Sequence, residues 1–453
     1  MTSRRQFVSR ATLAAAAAGL PPVLHAEILA ASRRSSRPWV EMAARCARWI
    51  GKSAQPVDGG LRWPADPLKP EEVGLDFYNG MTGVVAFHAM LFDATGEAAW
   101  GDTARAGADH LAHQMDGPSA DLDAGLYSGL GGLAYTFGCL HRARLGDRYR
   151  DAAVRAAGQI AARARTVGEG AEWSDSNDII SGTAGTGLFL LGAGRSWKQD
   201  SLVALAIKAG HRLVATGEAA EGGTMWYPAA SFRRNYPNFS HGTSGVSYFL
   251  ATLYEQTREP AFLNAALAGA RYLDAVAHRE NGTTKIFHST DGGENRYYLS
   301  WCHGPVGTAR LFYRLHRITG EPRWLDWVDS LTKAVLESGV PEGRTTGYWN
   351  NISQCCGNVG IGQYCIDLAR YHRSPALAAY RERVVKDTIA RATDDADGLR
   401  WVQAENRVSP EGLVAQTGFM QGAAGVGTFF LQLDALERGA KWKFPQPDTP
   451  FAG

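Results

Sequence analysis

The chain has 453 residues, of which 45% are hydrophobic and 20% are charged. These proportions are ordinary for a globular protein, and the length suffices for one large domain or for two to three of average size. The formal net charge is +2, and six arginines lie in residues 1–37, so the remainder is near neutral. Because nucleic-acid-binding domains carry a basic surface, we expect no nucleic-acid partner.

The N-terminus contains a paired arginine, Arg4-Arg5, followed by an alanine-rich run from Ala11 to Leu20. A twin arginine before a weakly apolar run is typical of a signal for twin-arginine export, and a basic disordered tail is the alternative. The sequence predicts residues 1–37 as signal peptide and linker, residues 38–453 as a single domain, and a periplasmic or extracellular location. The apolar run is short for a membrane span and no later stretch qualifies, so we expect no stable membrane insertion after signal removal.

A Gly-x-x-Gly motif followed by an apolar run recurs seven times along the chain. The pairs are Gly80/Gly83, Gly129/Gly132, Gly182/Gly185, Gly242/Gly245, Gly304/Gly307, Gly357/Gly360 and Gly422/Gly425. Successive first glycines are 49, 53, 60, 62, 53 and 65 residues apart. Recurrence at nearly regular spacing indicates a repeat architecture.

Each repeat contains a second helical pattern, whose start resembles Gly-Glu or Gly-Asp at Gly96, Gly146 and Gly320. The runs after the glycine motifs are apolar nearly all round, which predicts buried inner helices, whereas segments such as Trp324 to Leu336 are amphipathic. Seven helix pairs could form an open solenoid or a closed toroid, and the apolar inner helices favour closure. The predicted fold is all-α, a seven-fold α/α toroid with a double ring of inner and outer helices. Glycines would let the inner helices crowd round the axis.

The residues before each first glycine are expected to line the mouth of this toroid. Immediately before it stand Asn79, Ser128, Ser181, His241, His303, Cys356 and Gln421. One position earlier stand Tyr78, Tyr127, Ile180, Ser240, Cys302, Cys355 and Met420. Metal-binding and proton-transferring types are confined to repeats four to six, which predicts a site at one end of the barrel.

Cys302, Cys355 and Cys356 form the most informative set, because three thiolates and one open position describe a catalytic zinc site. They could instead be buried structural thiols or contain an oxidised vicinal pair. A purely structural zinc would require a fourth ligand, such as His303 or His241. The remaining cysteines lie in apolar, helix-like surroundings and are predicted to be buried thiols: Cys46, Cys139 and Cys365.

These motifs resemble those of the lanthionine synthetase C-like cyclases, which are seven-fold α/α toroids with zinc at the mouth. The resemblance covers roughly residues 40–440. Its specific matches are Asp178 to Gly182, Ser240-His241-Gly242, Trp301 to Gly304 and Cys355-Cys356-Gly357. The last motif is a variant of the family's usual Cys-His-Gly. The resemblance implies Cys302, Cys355 and Cys356 as ligands of Zn²⁺, His241 as the catalytic histidine and Asp178 as its helper.

The same resemblance implies addition of a thiolate to a dehydroamino acid or similar electrophile, giving a thioether. The expected partner is a thiol-containing peptide or a small-molecule thiol, and the protein is expected to be a monomer. A non-catalytic zinc or thiol scaffold and a carbohydrate-active toroid are alternatives, the latter requiring paired acids. Asp178 could simply cap the following helix. Four aromatic residues are candidates for lining a cleft: Tyr78, Tyr127, Trp226 and Trp301.

Overall fold

The computed structural model describes residues 37–117, 122–291, 296–343, 351–371, 374–402 and 413–451. Within these ranges, seven inner helices each begin directly after the first glycine of a motif. They are α2 (Met81–Thr95), α4 (Leu130–Arg142), α6 (Thr183–Trp197), α8 (Thr243–Thr257), α10 (Pro305–Thr319), α12 (Asn358–Ala369) and α14 (Ala423–Glu437). The glycine motifs therefore mark the inner helices, as predicted.

Seven outer helices, also within the described residues, pack on the inner ring. They are α1 (Pro38–Gly51), α3 (Ala98–Asp116), α5 (Arg148–Ala162), α7 (Asp200–Thr216), α9 (Pro260–Ala275), α11 (Arg323–Leu336) and α13 (Pro375–Ala390). Gly96 and Gly320 end inner helices with φ of 70° and 71°, a left-handed conformation that glycine adopts without strain and that turns the chain toward the outer helix.

The two rings are closed. Each inner helix contacts the next, and α14 contacts α2. The outer partner of α14 is α1, so the first helix of the described ranges completes the seventh repeat. Arg37, just before α1, donates from Nε to Oδ1 of Asp434 on α14 at 3.0 Å and reinforces this junction. The predicted seven-fold α/α toroid is confirmed.

In the part of the chain that the structure describes, five short antiparallel hairpins follow outer helices, and the expected all-α fold does not include them. They are β1 (Gln55–Val57) with β2 (Gly60–Arg62), β3 (Arg165–Val167) with β4 (Gly170–Glu172), β5 (Glu218–Ala220) with β6 (Gly223–Met225), β7 (His278–Glu280) with β8 (Thr283–Lys285), and β9 (Thr393–Asp395) with β10 (Gly398–Arg400). Each leads the chain from the outer ring back toward the loop before the next inner helix. They leave the fold mostly helical.

The second glycine of each motif allows an inner helix to lie against its own loop. A Cβ on Gly307 would stand 2.0 Å from the carbonyl oxygen of Trp301 and 2.6 Å from Cβ of Phe239, which belongs to the preceding repeat. Only a residue without a side chain fits such a contact. The close contact that glycine permits therefore lies between an inner helix and the loops that carry the site.

The core lies between and within the two rings. Cys46, Cys139 and Cys365 are buried there as free thiols, as predicted. Among the described residues, no helix is both long and apolar enough to cross a bilayer. The twin-arginine segment falls on residues 1–36, outside the described ranges, so the signal and the boundary at residue 37 stay predictions.

Candidate metal centre and adjoining pocket

Backbone hydrogen bonds join the loops before the inner helices side by side. The amide of Tyr78 donates to the carbonyl of Tyr127 at 2.9 Å, and the amide of Cys302 donates to the carbonyl of Cys355 at 3.2 Å. The amide of Cys355 donates to Met420 at 3.0 Å, and that of Met420 donates to Tyr78 at 2.7 Å. Equivalent positions of successive repeats are therefore neighbours in space, although they lie far apart in sequence.

Three sulfur atoms converge in this layer. The Sγ atoms of Cys302, Cys355 and Cys356 all lie within 4.8 Å of one another. Cys302 and Cys356 are separated by 2.7 Å, and Cys355 and Cys356 by 3.4 Å. One zinc ion, at about 2.3 Å from each sulfur, keeps its sulfur ligands within about 4 Å of one another. The donor set therefore fits a thiolate-bound zinc ion, and the three sulfurs lie close enough together to share one ion.

The surroundings of the cluster disfavour isolated negative charge. Burial raises the pKa of the Cys355 thiol well above its ordinary value. Hydrogen bonding to the neighbouring thiols, Cys302 first, raises the pKa of Cys356 in the same direction. Three thiolates this close repel one another, and a divalent cation supplies the charge that would stabilise them together.

Among the described residues, the cluster of metal-binding groups consists of these three cysteines alone. Neither His241 nor His303 belongs to it, so the arrangement does not support the alternative of a structural zinc closed by a histidine. A three-ligand centre leaves one position for an incoming group.

His241 and Asp178 form a close pair beside the cluster. Nδ1 of His241 lies 2.5 Å from Oδ2 of Asp178. The other oxygen of Asp178 accepts hydrogen bonds from the amides of Ser181 and Gly182, both at 2.9 Å. The carboxylate thus binds the turn before α6 and also orients the imidazole. Asp178 therefore makes contacts suited both to capping that turn and to assisting His241.

The capping contact recurs in the first repeat without a histidine. Oδ1 of Asp76 accepts from the amides of Asn79 and Gly80 at 2.7 and 3.1 Å. Asp76 precedes the first glycine of its motif by four positions, as Asp178 does. The contact with the turn amides is therefore shared by the first and third repeats, whereas only Asp178 of the two aspartates also contacts a histidine.

The electrostatics of His241 reflect two opposed effects. Burial lowers its pKa, but the charge of Asp178 and the hydrogen bond to it raise the pKa further, leaving it above its ordinary value. The side chain remains 36% exposed. His241 is thus an imidazole whose protonated form is favoured and which a ligand can reach.

A pocket of about 410 Å³ opens beside this pair. Its lining consists of Ser176, Asp178, Ser181, Pro228, Ala229, Phe232, Tyr236, His241, His288 and His303. The ring of His303, which follows Cys302 in the chain, lies 5.7 Å from the ring of His241. The loop that carries Cys302 therefore reaches the pocket of His241 and Asp178 through His303, although none of the three cysteines is among the lining residues.

Six of the pocket residues were not foreseen from the sequence, and Tyr236 and His288 are the two of them that contact His303. The ring of Tyr236 lies 4.9 Å from those of both His288 and His303, and the two histidine rings are 4.2 Å apart. Tyr236 and His288 occupy loops outside the motif positions, and no local pattern marks them.

The four aromatic residues expected to line a cleft have two different outcomes. Tyr127, Trp226 and Trp301 are no more than 2% exposed and belong to the core. Tyr78, by contrast, contacts Cys355.

Comparison with known proteins agrees with this architecture. The solved structure of nisin cyclase has a TM-score of 0.61, with 16% identity over 83% of this chain and 91% of that chain. A GH76 alpha-mannanase from Bacteroides thetaiotaomicron has a TM-score of 0.50, with 11% identity over 88% and 96%. At these identities the likeness concerns the fold alone.

A comparison with curated proteins finds no match. The family described as Lanthionine synthetase C-like protein matches residues 71–446, a span that contains all the motifs and site residues described above. The chain therefore belongs to the lanthionine synthetase C-like family.

Proposed function

We propose that this protein is a zinc-dependent enzyme that adds a thiol to a dehydroamino acid or similar electrophilic alkene and forms a thioether. The observation that carries the proposal is the convergence of the sulfurs of Cys302, Cys355 and Cys356 within 4.8 Å, next to a pocket lined by His241 and Asp178. Membership of the family supports the same class of reaction, and the likeness to nisin cyclase supports the fold.

Cys302, Cys355 and Cys356 would hold the zinc. Bound zinc lowers the pKa of a thiol that reaches its open position and so supplies a nucleophilic sulfur at neutral pH. The proposed substrate is a thiol-containing peptide or a small-molecule thiol, together with the electrophile.

His241 would transfer the proton that the addition requires. An ionised carboxylate only accepts hydrogen bonds, so Nδ1 of His241 carries its proton toward Asp178 and Nε2 is left for exchange with a ligand. In the addition, the sulfur bonds to the β-carbon, the alkene electrons move toward the α-carbon, and a proton must reach that carbon. The raised pKa of His241 favours the imidazolium that can deliver this proton, and the thiol proton restores it.

The carbohydrate-active alternative receives no support from the pocket. Among the described lining residues, Asp178 is the one carboxylate, and it is already paired with His241. Glycoside hydrolysis typically requires two carboxyl groups flanking the bond that is cleaved.

Replacing His241 separates chemistry from metal binding. His241→Asn removes the proton-transferring group and none of the proposed ligands, so we expect zinc content near wild type and thiol addition slowed by about 10²- to 10⁴-fold. Metal analysis and an addition assay with dehydrated peptides and small electrophilic alkenes measure both. His211→Asn is a matched control, because His211 pairs with Glu259 on the outer ring and should affect neither quantity.

Loss of zinc from His241→Asn would identify His241 as a fourth ligand and the centre as structural. If zinc is retained and neither wild type nor variant shows addition activity, the protein is a non-catalytic binding scaffold and not an enzyme.

A further inference from the structure

Cys355 accepts a hydrogen bond from a residue of another repeat. The phenolic hydroxyl of Tyr78 donates to Sγ of Cys355 at 2.9 Å. Nε2 of Gln421 donates in turn to the hydroxyl oxygen of Tyr78 at 2.8 Å. The tyrosine is therefore oriented from one side and directed at sulfur on the other.

This chain of contacts depends on closure of the ring. Tyr78 belongs to the first repeat, Gln421 to the seventh and Cys355 to the sixth. The backbone bonds from Cys355 to Met420 and from Met420 to Tyr78, at 3.0 and 2.7 Å, hold the three loops in register. Tyr78 is half-buried and Gln421 is 7% exposed, so the contacts are shielded from competing water.

An O–H donor changes what a thiolate does. It stabilises the charge on sulfur, strengthens the position of that sulfur as a ligand and lowers its electron density. A hydrogen bond accepted by the tyrosine oxygen polarises its O–H group and makes it a better donor. The effect falls on Cys355, which is 1% exposed and cannot move out of the cluster without disturbing the loop.

We propose that Tyr78, supported by Gln421, is a positioning residue that keeps Cys355 a permanent, weakly nucleophilic ligand of the metal centre. The inference rests on the proposed function and adds that the substrate sulfur and the ligand sulfur have different roles. The substrate thiolate reacts, while the Tyr78 hydroxyl restrains a ligand thiolate that would otherwise compete for the electrophile.

Tyr78→Phe removes the donor and preserves the ring. We expect zinc affinity, measured by competition with a chromophoric chelator, to fall by about tenfold, as is typical when a partner of a metal ligand is lost. In protein reconstituted with Co²⁺, the sulfur-to-cobalt charge-transfer band should shift to longer wavelength, because a thiolate without its donor is more electron-rich. A merely structural role of Tyr78 would not move this band.

Tyr127→Phe is the matched control, since Tyr127 occupies the same motif position in the second repeat and lies outside the cysteine cluster. It should leave both zinc affinity and the cobalt band unchanged. Gln421→Leu should shift the band in the same direction by a smaller amount, and it decides the question if Tyr78→Phe does not fold.

An unshifted band and unchanged affinity in folded Tyr78→Phe would overturn this inference and leave the proposed function standing. A wild-type protein that binds neither zinc nor cobalt would overturn both.

Discussion

The two oxygens of Asp178 have different partners, and the difference governs His241. Oδ1 accepts from the amides of Ser181 and Gly182 in the turn before α6, which fixes the carboxylate, and Oδ2 contacts the imidazole. A fixed anion beside a partly buried imidazole favours the protonated ring more than burial opposes it. At the scale of single residues, the charge of Asp178 and its hydrogen bond raise the pKa of His241.

Asp178→Asn should keep the contacts with the turn before α6, because the side-chain oxygen of asparagine also accepts from backbone amides, and should remove the charge. Since Asp178 raises the pKa of His241, the variant's His241 should titrate at lower pH. If His241 acts as an acid, thiol addition by the variant should decline at a lower pH than in wild type. The pH dependence of the rate and the NMR titration of the His241 ring measure this shift.

Asp76→Asn is the control, because Asp76 caps an equivalent turn without a histidine partner. An unchanged His241 titration in Asp178→Asn would contradict the electrostatic role of the aspartate.

The three cysteines could be grouped from the sequence because their repeat positions predict neighbouring loops. Their sulfur cluster has the geometry that this grouping requires, and metal binding itself stays a prediction. Tyr236 and His288 could not be predicted, because they reach the pocket from irregular loops whose paths no periodic pattern specifies. The hydrogen bond from Tyr78 to Cys355 also depends on side-chain direction, which spacing does not determine.

Among the elements, the inner helices are the most predictable, because glycine is required where each meets its own loop. The hairpins were missed although a signal existed. Asn281 and Gly282 both have positive φ, 51° and 76°, as a type I′ turn between β7 and β8 requires, and Asn-Gly is the preferred pair for that turn. Strands of three residues are too short to show an alternating pattern.

Two glycines of α6, Gly185 and Gly192, together test whether the motif glycines are required for packing. A Cβ on Gly185 would lie 2.0 Å from the carbonyl oxygen of Ile179, so Gly185→Ala must displace the loop that carries Asp178. We expect a loss of about 1–3 kcal/mol in unfolding free energy, as for overpacked cores. Urea or thermal unfolding measures it.

A Cβ on Gly192, which lies on the same helix, would meet no neighbouring group within 4 Å. Gly192→Ala should therefore stabilise the protein by about 0.5–1 kcal/mol, because alanine favours helix over glycine. Equal effects at both glycines would contradict the packing role of the motif.

At the scale of the whole molecule, the site depends on a closed ring. Its groups come from repeats three to six, and Tyr78 of the first repeat reaches Cys355 of the sixth across the junction between first and last repeats. Closure was predicted from the apolar inner helices. The use of α1 as the seventh outer helix was not predicted, because α1 precedes the first glycine motif and pairs with a helix at the other end of the chain.

Export remains a prediction of the sequence. Because the paired arginines are the address that the export machinery reads, Arg4→Lys with Arg5→Lys should leave the precursor in the cytoplasm. Fractionation of cells expressing the variant and the wild type measures the distribution. Normal export of the double variant would show that the N-terminus is not a twin-arginine signal.

Zinc content tests the proposed centre most directly. Purified, reduced protein should contain about one zinc per chain, and Cys302→Ala and Cys356→Ala should each lose most of it. Cys139→Ala, which removes a buried thiol outside the cluster, should retain the metal. Full zinc retention in both ligand variants, or a wild-type protein without zinc, would contradict the assignment of this cluster as a metal site.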